Sequence, residues 1–343
     1  MSMLRVQHPG PDVPHEFEGY VSDLMGALVL PRAFVGSGIK VVLPEQPGRP
    51  AGRIGFLTAI HVVLPAALSG ERFGILLPRP NPLVVQPTAI RFAPRSDAAV
   101  LTLPLSNDQT DALDLTEWDP RGHSAPAISA LVNPCGFPGS RVQLADQSTQ
   151  TPGSLELNLL EMSVTGVQQR LMFAASAEDP RYTPSFRGMS GGPVFDAAGE
   201  LVGINTAEIR NNQGMANIAF TTRADWDGLY HPARHPAGIP GDLDGFPQSG
   251  RFRLGLYDSG TNRVLMRFDA IIRGHVYRSQ SVPEREWGTH GSIESMEVLG
   301  NPYPINIESM YKVSAPEDRT TWQQEFMLEV ALILGTMSLV NLG

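Results

Sequence analysis

Residues 188–193 read Gly188-Met189-Ser190-Gly191-Gly192-Pro193. They run into Val194-Phe195 and then into Gly199-Glu200-Leu201-Val202-Gly203-Ile204-Asn205-Thr206-Ala207. A serine between glycines sits on a tight backbone turn. The residues before it can aim their N–H groups at the point where a tetrahedral oxyanion would form. The glycines after it carry no Cβ, so other backbone can come close. Such a hydroxyl becomes a nucleophile only beside a base that takes its proton.

Two upstream segments offer the missing partners. Phe56-Leu57-Thr58-Ala59-Ile60-His61-Val62-Val63 is an apolar run that carries a histidine. Pro94-Arg95-Ser96-Asp97-Ala98-Ala99-Val100-Leu101-Thr102-Leu103 is a polar turn opening onto an apolar run. Taken alone, such a histidine is usually a strand-end residue and such an aspartate a turn former or helix cap. A Gly-Gly-Pro string is usually a loop. Together they give the chain order His61, Asp97, Ser190. That is the order of chymotrypsin-like enzymes, and not of subtilisins or α/β-hydrolases.

These segments resemble trypsin-like serine peptidases, and most of all their HtrA/Deg-type branch. Leu57 to Val63 is similar to that branch's L-T-x-x-H-V-V, and Arg95 to Leu101 to its R-x-D-x-A-L-L. Gly199 to Ala207 is similar to its G-E-V-V-G-I-N-T-A. Gly36-Ser37-Gly38-Ile39 resembles the G-S-G-F of the first barrel strand, and Ala216-Asn217-Ile218-Ala219-Phe220 resembles a late strand beside the active site. The resemblance spans about residues 18 to 230.

It implies a mainly β fold: a double six-stranded β-barrel. The first barrel would supply His61 and Asp97, and the second Ser190. It also implies a serine endopeptidase acting on protein or peptide substrates without a cofactor or metal. Ser190 would attack the carbonyl, His61 would take the proton, and Asp97 would orient His61. The backbone N–H groups of Gly188 and Ser190 would form the oxyanion hole. Pro184, Ser185, Phe186, Arg187, Phe220, Thr221 and Thr222 would line the primary substrate pocket. No acid stands near Pro184, where trypsin's pocket aspartate would fall, so a small or medium uncharged residue is the expected target. Arg187 is a candidate to reach a substrate carboxylate (or is a solvated loop charge). Trypsin-type zymogens carry an aspartate just before the nucleophile that pairs with a freed N-terminal ammonium. Met189 cannot make that pair, so control by a partner or by the C-terminal region is expected instead.

Composition agrees. With 42% hydrophobic and only 18% charged residues, beside 34 glycines and 30 prolines, the chain suits strands and turns better than helices. A net charge of −9 without basic runs gives no support to nucleic-acid binding. The single cysteine, Cys135, excludes an intrachain disulfide. No basic segment followed by an apolar one opens the chain, so the cytoplasm is the expected compartment. An effector in a bacterial signalling or defence pathway is one role that fits.

The domain organisation reads as follows. Residues 1–17 form a loosely held arm, 18–230 the peptidase domain, 231–250 a Pro/Gly-rich linker, and 251–343 a smaller α+β domain. Within the peptidase domain, runs such as Ile39–Val42, Ile54–Leu57, Ala127–Val132, Leu155–Leu160, Leu171–Ala174 and Leu201–Ile204 read as strands. His231 and His235 lie in the linker, where Pro232 and Pro236 oppose a helical metal site. Phe252–Tyr257 and Val264–Ile272 read as a hairpin, with Ile293–Leu299 and Ile305–Val313 as further strands. Thr321-Trp322-Gln323-Gln324 resembles a capping box. Trp322, Phe326, Val330, Ile333, Met337 and Val340 then recur at helical spacing. The apolar run after Glu329 is shorter than the roughly 20 residues a membrane span needs. The terminal helix reads first as core packed between domains; the C-terminal region is otherwise a candidate site for a regulatory partner or for self-association. A different reading makes the whole protein a catalytically silent scaffold on a peptidase fold.

Overall fold

The structure is a computed structural model of the chain. It describes residues 4–7, 15–30, 33–43, 53–69, 73–78, 83–92, 96–106, 112–114, 125–139, 143–146, 151–168, 171–175, 186–210, 216–223, 226, 244–258, 263–278, 289–299, 305–307, 309–313 and 337–341.

The N-terminal half comprises β1 (Leu4–Gln7), α1 (His15–Leu24), β2 (Met25–Leu30), β3 (Ala33–Leu43), β4 (Arg53–Thr58), α2 (Ile60–Ser69), β5 (Gly74–Leu77), β6 (Leu83–Val85), β7 (Ala89–Phe92), β8 (Ala99–Ser106) and β9 (Leu113–Asp114). The middle comprises β10 (Leu131–Gly136), β11 (Gln143–Asp146), β12 (Thr151–Leu159), β13 (Met162–Gln168), β14 (Leu171–Ala175), β15 (Pro193–Asp196), β16 (Leu201–Arg210) and β17 (Ala216–Thr222). The C-terminal strands are β18 (Asp244–Asp258), β19 (Arg263–Arg278), β20 (Thr289–Val298), β21 (Ile305–Ile307), β22 (Ser309–Val313) and β23 (Met337–Asn341).

The expected mainly β architecture holds. β10, β13, β14, β17, β16 and β15 pair in sequence, and β15 returns to β10, which closes a six-stranded barrel. Closure removes the sheet edges that would otherwise stay unpaired. β6, β5, β2, β3, β4, β8 and β7 form a half-barrel beside it. This sheet continues into the C-terminal strands, because β21 pairs in parallel with β7.

Three apolar clusters hold these layers. Val132, Met162, Val164, Met172, Val194, Ile218 and Phe220 fill the closed barrel, together with Phe186 and Met189. A second cluster joins the barrels: Ile39, Val41 and Leu57 of the half-barrel meet Cys135, Phe137, Phe195, Ile204 and Trp226. β3 and β4 alternate, so their other faces supply Val42, Ile54 and Phe56 to a third cluster. There they meet α2 and the C-terminal residues Leu254, Phe268, Ala270 and Val298.

The structure departs from the sequence reading in four places. The arm is not loose throughout, since β1 pairs in parallel with β12. The expected strand Ala127–Val132 starts only at Leu131. Ala130 N–H donates to the Ala127 carbonyl at 3.0 Å, and Ser129 takes a φ of 72°, so this stretch turns. The linker is shorter than expected, because residues 244–250 pair with the far end of β19 in spite of Pro247. Finally, Met337 and Val340, placed on a terminal helix by their spacing, lie in β23 against β18. An edge strand presents unpaired N–H and C=O groups that a short extended segment can take up. The rest of that helix, residues 321–336, and the two linker histidines lie outside the described residues. Among the described residues, no helix is long and apolar enough to cross a membrane.

Because Leu254 is fully buried in the cluster that contains α2, it couples the C-terminal strands to the half-barrel. Leu254→Ala should cost about 2–5 kcal/mol. The loss should appear as a lower urea midpoint in one transition, seen alike by circular dichroism and by tryptophan fluorescence. Two separated transitions, with only the second shifted, would contradict the shared core.

Candidate active site

Sheet register brings His61 and Asp97 together. β4 pairs antiparallel with β8 so that Thr58 faces Ala99. The residues just past β4 and just before β8 are therefore neighbours. α2 starts directly after β4, and its first N–H groups have no partner inside the helix. Asp97 Oδ1 accepts the His61 N–H at 3.0 Å. Its other oxygen, Oδ2, lies 2.6 Å from His61 Nδ1. One carboxylate thus caps the helix and holds the ring, and the positive end of the helix favours its charge.

The Asp97 side chain is 4% exposed and the His61 side chain 23%, so the acid is sealed while the ring keeps an open side. Burial works against the charged imidazole. The Asp97 charge and then its hydrogen bond work for it, and the balance raises the His61 pKa above its usual 6.5. A pKa raised by folding means that protonated His61 stabilises the fold fully below the unfolded value. That contribution fades as pH climbs through the folded value.

The Ser190 turn is fixed by backbone on both sides. Gly191 N–H donates to the Asn205 carbonyl at 2.7 Å, Asn205 N–H to the Gly192 carbonyl at 2.8 Å, and Ser37 N–H to the Ser190 carbonyl at 2.9 Å. Gly191 has a φ of 82°, and a Cβ there would stand 2.1 Å from Thr58 Oγ1. A Cβ on Gly192 would stand 2.1 Å from the Cys135 carbonyl oxygen. Both glycines are steric requirements. The Ser190 hydroxyl donates to the Thr206 carbonyl at 3.4 Å, a long bond.

The turn before Ser190 has a defined orientation. Met189 N–H donates to the Phe186 carbonyl at 2.9 Å, and Gly188 has a φ of 100°, as the third residue of a type II turn requires. The Arg187 carbonyl accepts the Gly139 N–H at 2.7 Å. Across a planar trans peptide, the Gly188 N–H then points the opposite way. Met189 itself is 1% exposed, inside the closed-barrel cluster. An apolar plug stands where an ion pair would be needed to anchor the turn by charge.

The other sequence candidates divide. Phe186 and Phe220 pack together in the closed-barrel cluster. Arg187 is exposed on the turn. Thr221 projects from the opposite face of β17, where its hydroxyl accepts the Trp226 indole N–H at 3.1 Å. Thr222 is buried beside it. Pro184 and Ser185 lie outside the described residues. Two groups were missed. Glu208 Oε2 accepts the Phe186 N–H at 2.8 Å, which ties β16 to the segment before the turn. Ser37, read only as part of a weak motif, touches the Ser190 turn directly. A lone hydroxyl in β3, whose one other polar side chain is Lys40, was the available signal.

If Asp97 holds the imidazolium, Asp97→Asn should remove the favourable charge and leave the burial cost. The imidazole pKa should fall below 6.5, read from the ring-proton shift in an NMR titration. An unchanged or higher value would contradict the pairing.

Residues 49–204 match the family described as trypsin-like peptidase domain, a span that includes His61, Asp97 and Ser190. Among solved structures, the active form of the Rv3671c protease from M. tuberculosis is similar at 15% identity and a TM-score of 0.41, covering 69% of this chain and 94% of that one. The MamO protease domain from Magnetospirillum magneticum is similar at 14% identity and a TM-score of 0.37, covering 59% and 93%. Deg5 is similar at 16% identity and a TM-score of 0.35, covering 56% and 85%. No curated protein matches the chain. Residues 49–204 thus carry a trypsin-like peptidase domain, the span in which the motifs around His61, Asp97 and Ser190 fall.

Proposed function

We propose that this protein is a serine endopeptidase in which Ser190 is the nucleophile, His61 the general base and Asp97 its orienting partner. The observation that carries the reading is the double contact of Asp97 with His61: 3.0 Å to the backbone N–H and 2.6 Å to Nδ1. Nδ1 held this way leaves the other ring nitrogen to accept a proton. Among the described residues, the Ser190 hydroxyl is held by the 3.4 Å bond to Thr206 alone. Turning it to His61 on substrate arrival costs little, and such bonds commonly tighten only with substrate bound.

The mechanism follows from these parts. Ser190 Oγ forms a bond to the substrate carbonyl carbon while His61 takes its proton. The carbonyl oxygen gains the charge and meets the N–H groups of Gly188 and Ser190. As the intermediate collapses, the C–N bond breaks and His61 returns the proton to the leaving amine. Water repeats the sequence on the acyl-enzyme. Removing one oxyanion donor from such a site typically costs a factor of about 10²–10³ in rate.

Regulation is proposed to differ from that of trypsin. Met189 anchors its turn by burial, so a freed N-terminus finds no acid at that position to pair with. Control would fall to a partner or to the C-terminal strands, which share a cluster with α2. A role as a bacterial signalling or defence effector, and a preference for uncharged target residues, remain parts of this reading. The second reading, a silent scaffold, has one observation in its favour: the Ser190 hydroxyl faces Thr206.

A fluorophosphonate probe separates the two. Wild-type protein should be labelled at Ser190, Ser190→Ala not at all, and His61→Ala slower by about 10³-fold or more. Wild-type protein that stays unlabelled while folded would support the scaffold. Trimming the chain to just past Gln7 should give no rise in labelling rate, and a clear jump would overturn the regulatory part.

A further inference from the structure

We infer that Ser37 is the positioning residue of the oxyanion-binding turn, a role that rests on the peptidase reading above. Ser37 lies in the middle of β3, fully buried. A buried hydroxyl needs partners, and both of its partners belong to the site. Ser37 Oγ donates to the Gly188 carbonyl at 2.9 Å. It accepts the Phe137 N–H at 2.8 Å. Its backbone continues the pattern. The Ser37 N–H donates to the Ser190 carbonyl at 2.9 Å, and its carbonyl accepts Thr58 Oγ1 at 2.7 Å. Thr58 is the last residue of β4, three residues before His61.

Geometry makes the hydroxyl more than a structural tie. Two peptide planes flank the Gly188 Cα. The Gly139 N–H holds the first by the Arg187 carbonyl, and Ser37 holds the second by the Gly188 carbonyl. With both carbonyls held, the direction of the Gly188 N–H is fixed before any substrate arrives. Phe137 lies two residues before Gly139, so the same hydroxyl also holds the segment that carries the other anchor. The neighbouring glycines allow this approach. A Cβ on Gly36 would stand 3.0 Å from the Ser190 carbonyl oxygen, and one on Gly38 would stand 2.5 Å from the Leu57 carbonyl oxygen.

Removing the hydroxyl leaves the Phe137 N–H and the Gly188 carbonyl buried without a partner, which the chain relieves by moving the turn. The Asp97–His61 contacts do not involve Ser37. The loss should therefore be one of oxyanion geometry and not of base strength. This distinguishes positioning from general damage.

The test compares wild-type, Ser37→Ala and Ser37→Cys proteins. It measures fluorophosphonate labelling rate against pH, thermal midpoint, and hydrogen exchange of segments 131–139 and 186–192. Ser37→Ala should label about 10²-fold more slowly, with an unchanged pH midpoint, and both segments should exchange faster. Ser37→Cys keeps the volume and a weaker, longer donor, and should fall between. A folded Ser37→Ala protein that labels at the wild-type rate overturns the role. So does a loss of rate traced wholly to a shifted pH midpoint. If Ser37→Ala fails to fold, wild-type labelling by Ser37→Cys overturns it, and an intermediate rate supports it. If wild-type protein itself does not label, the peptidase reading fails, and exchange decides the role of Ser37. Faster exchange in both segments supports the positioning, and unchanged exchange refutes it.

Discussion

The close seating of the Ser190 turn on β3 and β4 is the constraint on which the rest of the site depends. Gly191 leaves no room for even a methyl group against Thr58 and Ser37. At this distance the two halves of the molecule interlock through backbone groups, whose partners cannot be exchanged by mutation as side chains can. The same seam sets the other functional residues. β4 ends at Thr58 and hands the chain to α2, which carries His61. The pairing of β4 with β8 then places Asp97. All three residues are thus measured from one line of contact. The shared cluster of Ile39, Leu57, Phe137, Phe195 and Trp226 keeps that line closed.

Two electrostatic choices follow from the burial this seam imposes. A buried carboxylate is costly unless it is well paired. Asp97 meets the requirement with two contacts to one residue, a helix N–H and a ring nitrogen. The residue before Ser190 solves the opposite problem. An acid there would have to bring a counter-charge into the closed-barrel core. Met189 avoids the charge altogether, and its flexible side chain fills irregular space beside Phe186 and Phe220. The turn is therefore held by packing and by backbone bonds to Gly139 and Ser37.

Much of this was legible in the chain, and the limits have physical causes. The strands Ile39–Val42, Ile54–Leu57, Leu155–Leu160, Leu171–Ala174 and Leu201–Ile204 could be read because each is a short apolar or alternating run. His61, Asp97 and Ser190 could be read because each sits in a segment with unusual local chemistry. Ser129 could not: its left-handed φ is a backbone state that a serine seldom adopts, and nothing nearby announces it. Glu208 and Ser37 were missed because their importance lies in contacts 22 and 151 residues away. Local pattern carries no trace of such pairings. β23 was missed for another reason. Met-Ser-Leu-Val alternates as well as it repeats at helical spacing, and the free edge of β18 selects the strand.

The place of the C-terminal strands then acquires a meaning beyond covering a surface. α2 is a short helix with His61 in its first turn. A helix of this length is marginal by itself, and packing decides whether it forms. Val62, Val63, Leu64 and Ala67 pack in one cluster with Leu254, Phe268, Ala270 and Val298. These residues come from strands that join the half-barrel through β21 and β7. The helix is thus clamped between the half-barrel on one side and the C-terminal sheet on the other. Two sets of contacts meet here: Ser37 holds the Gly188 and Ser190 carbonyls, and the C-terminal core packs against the helix that carries His61.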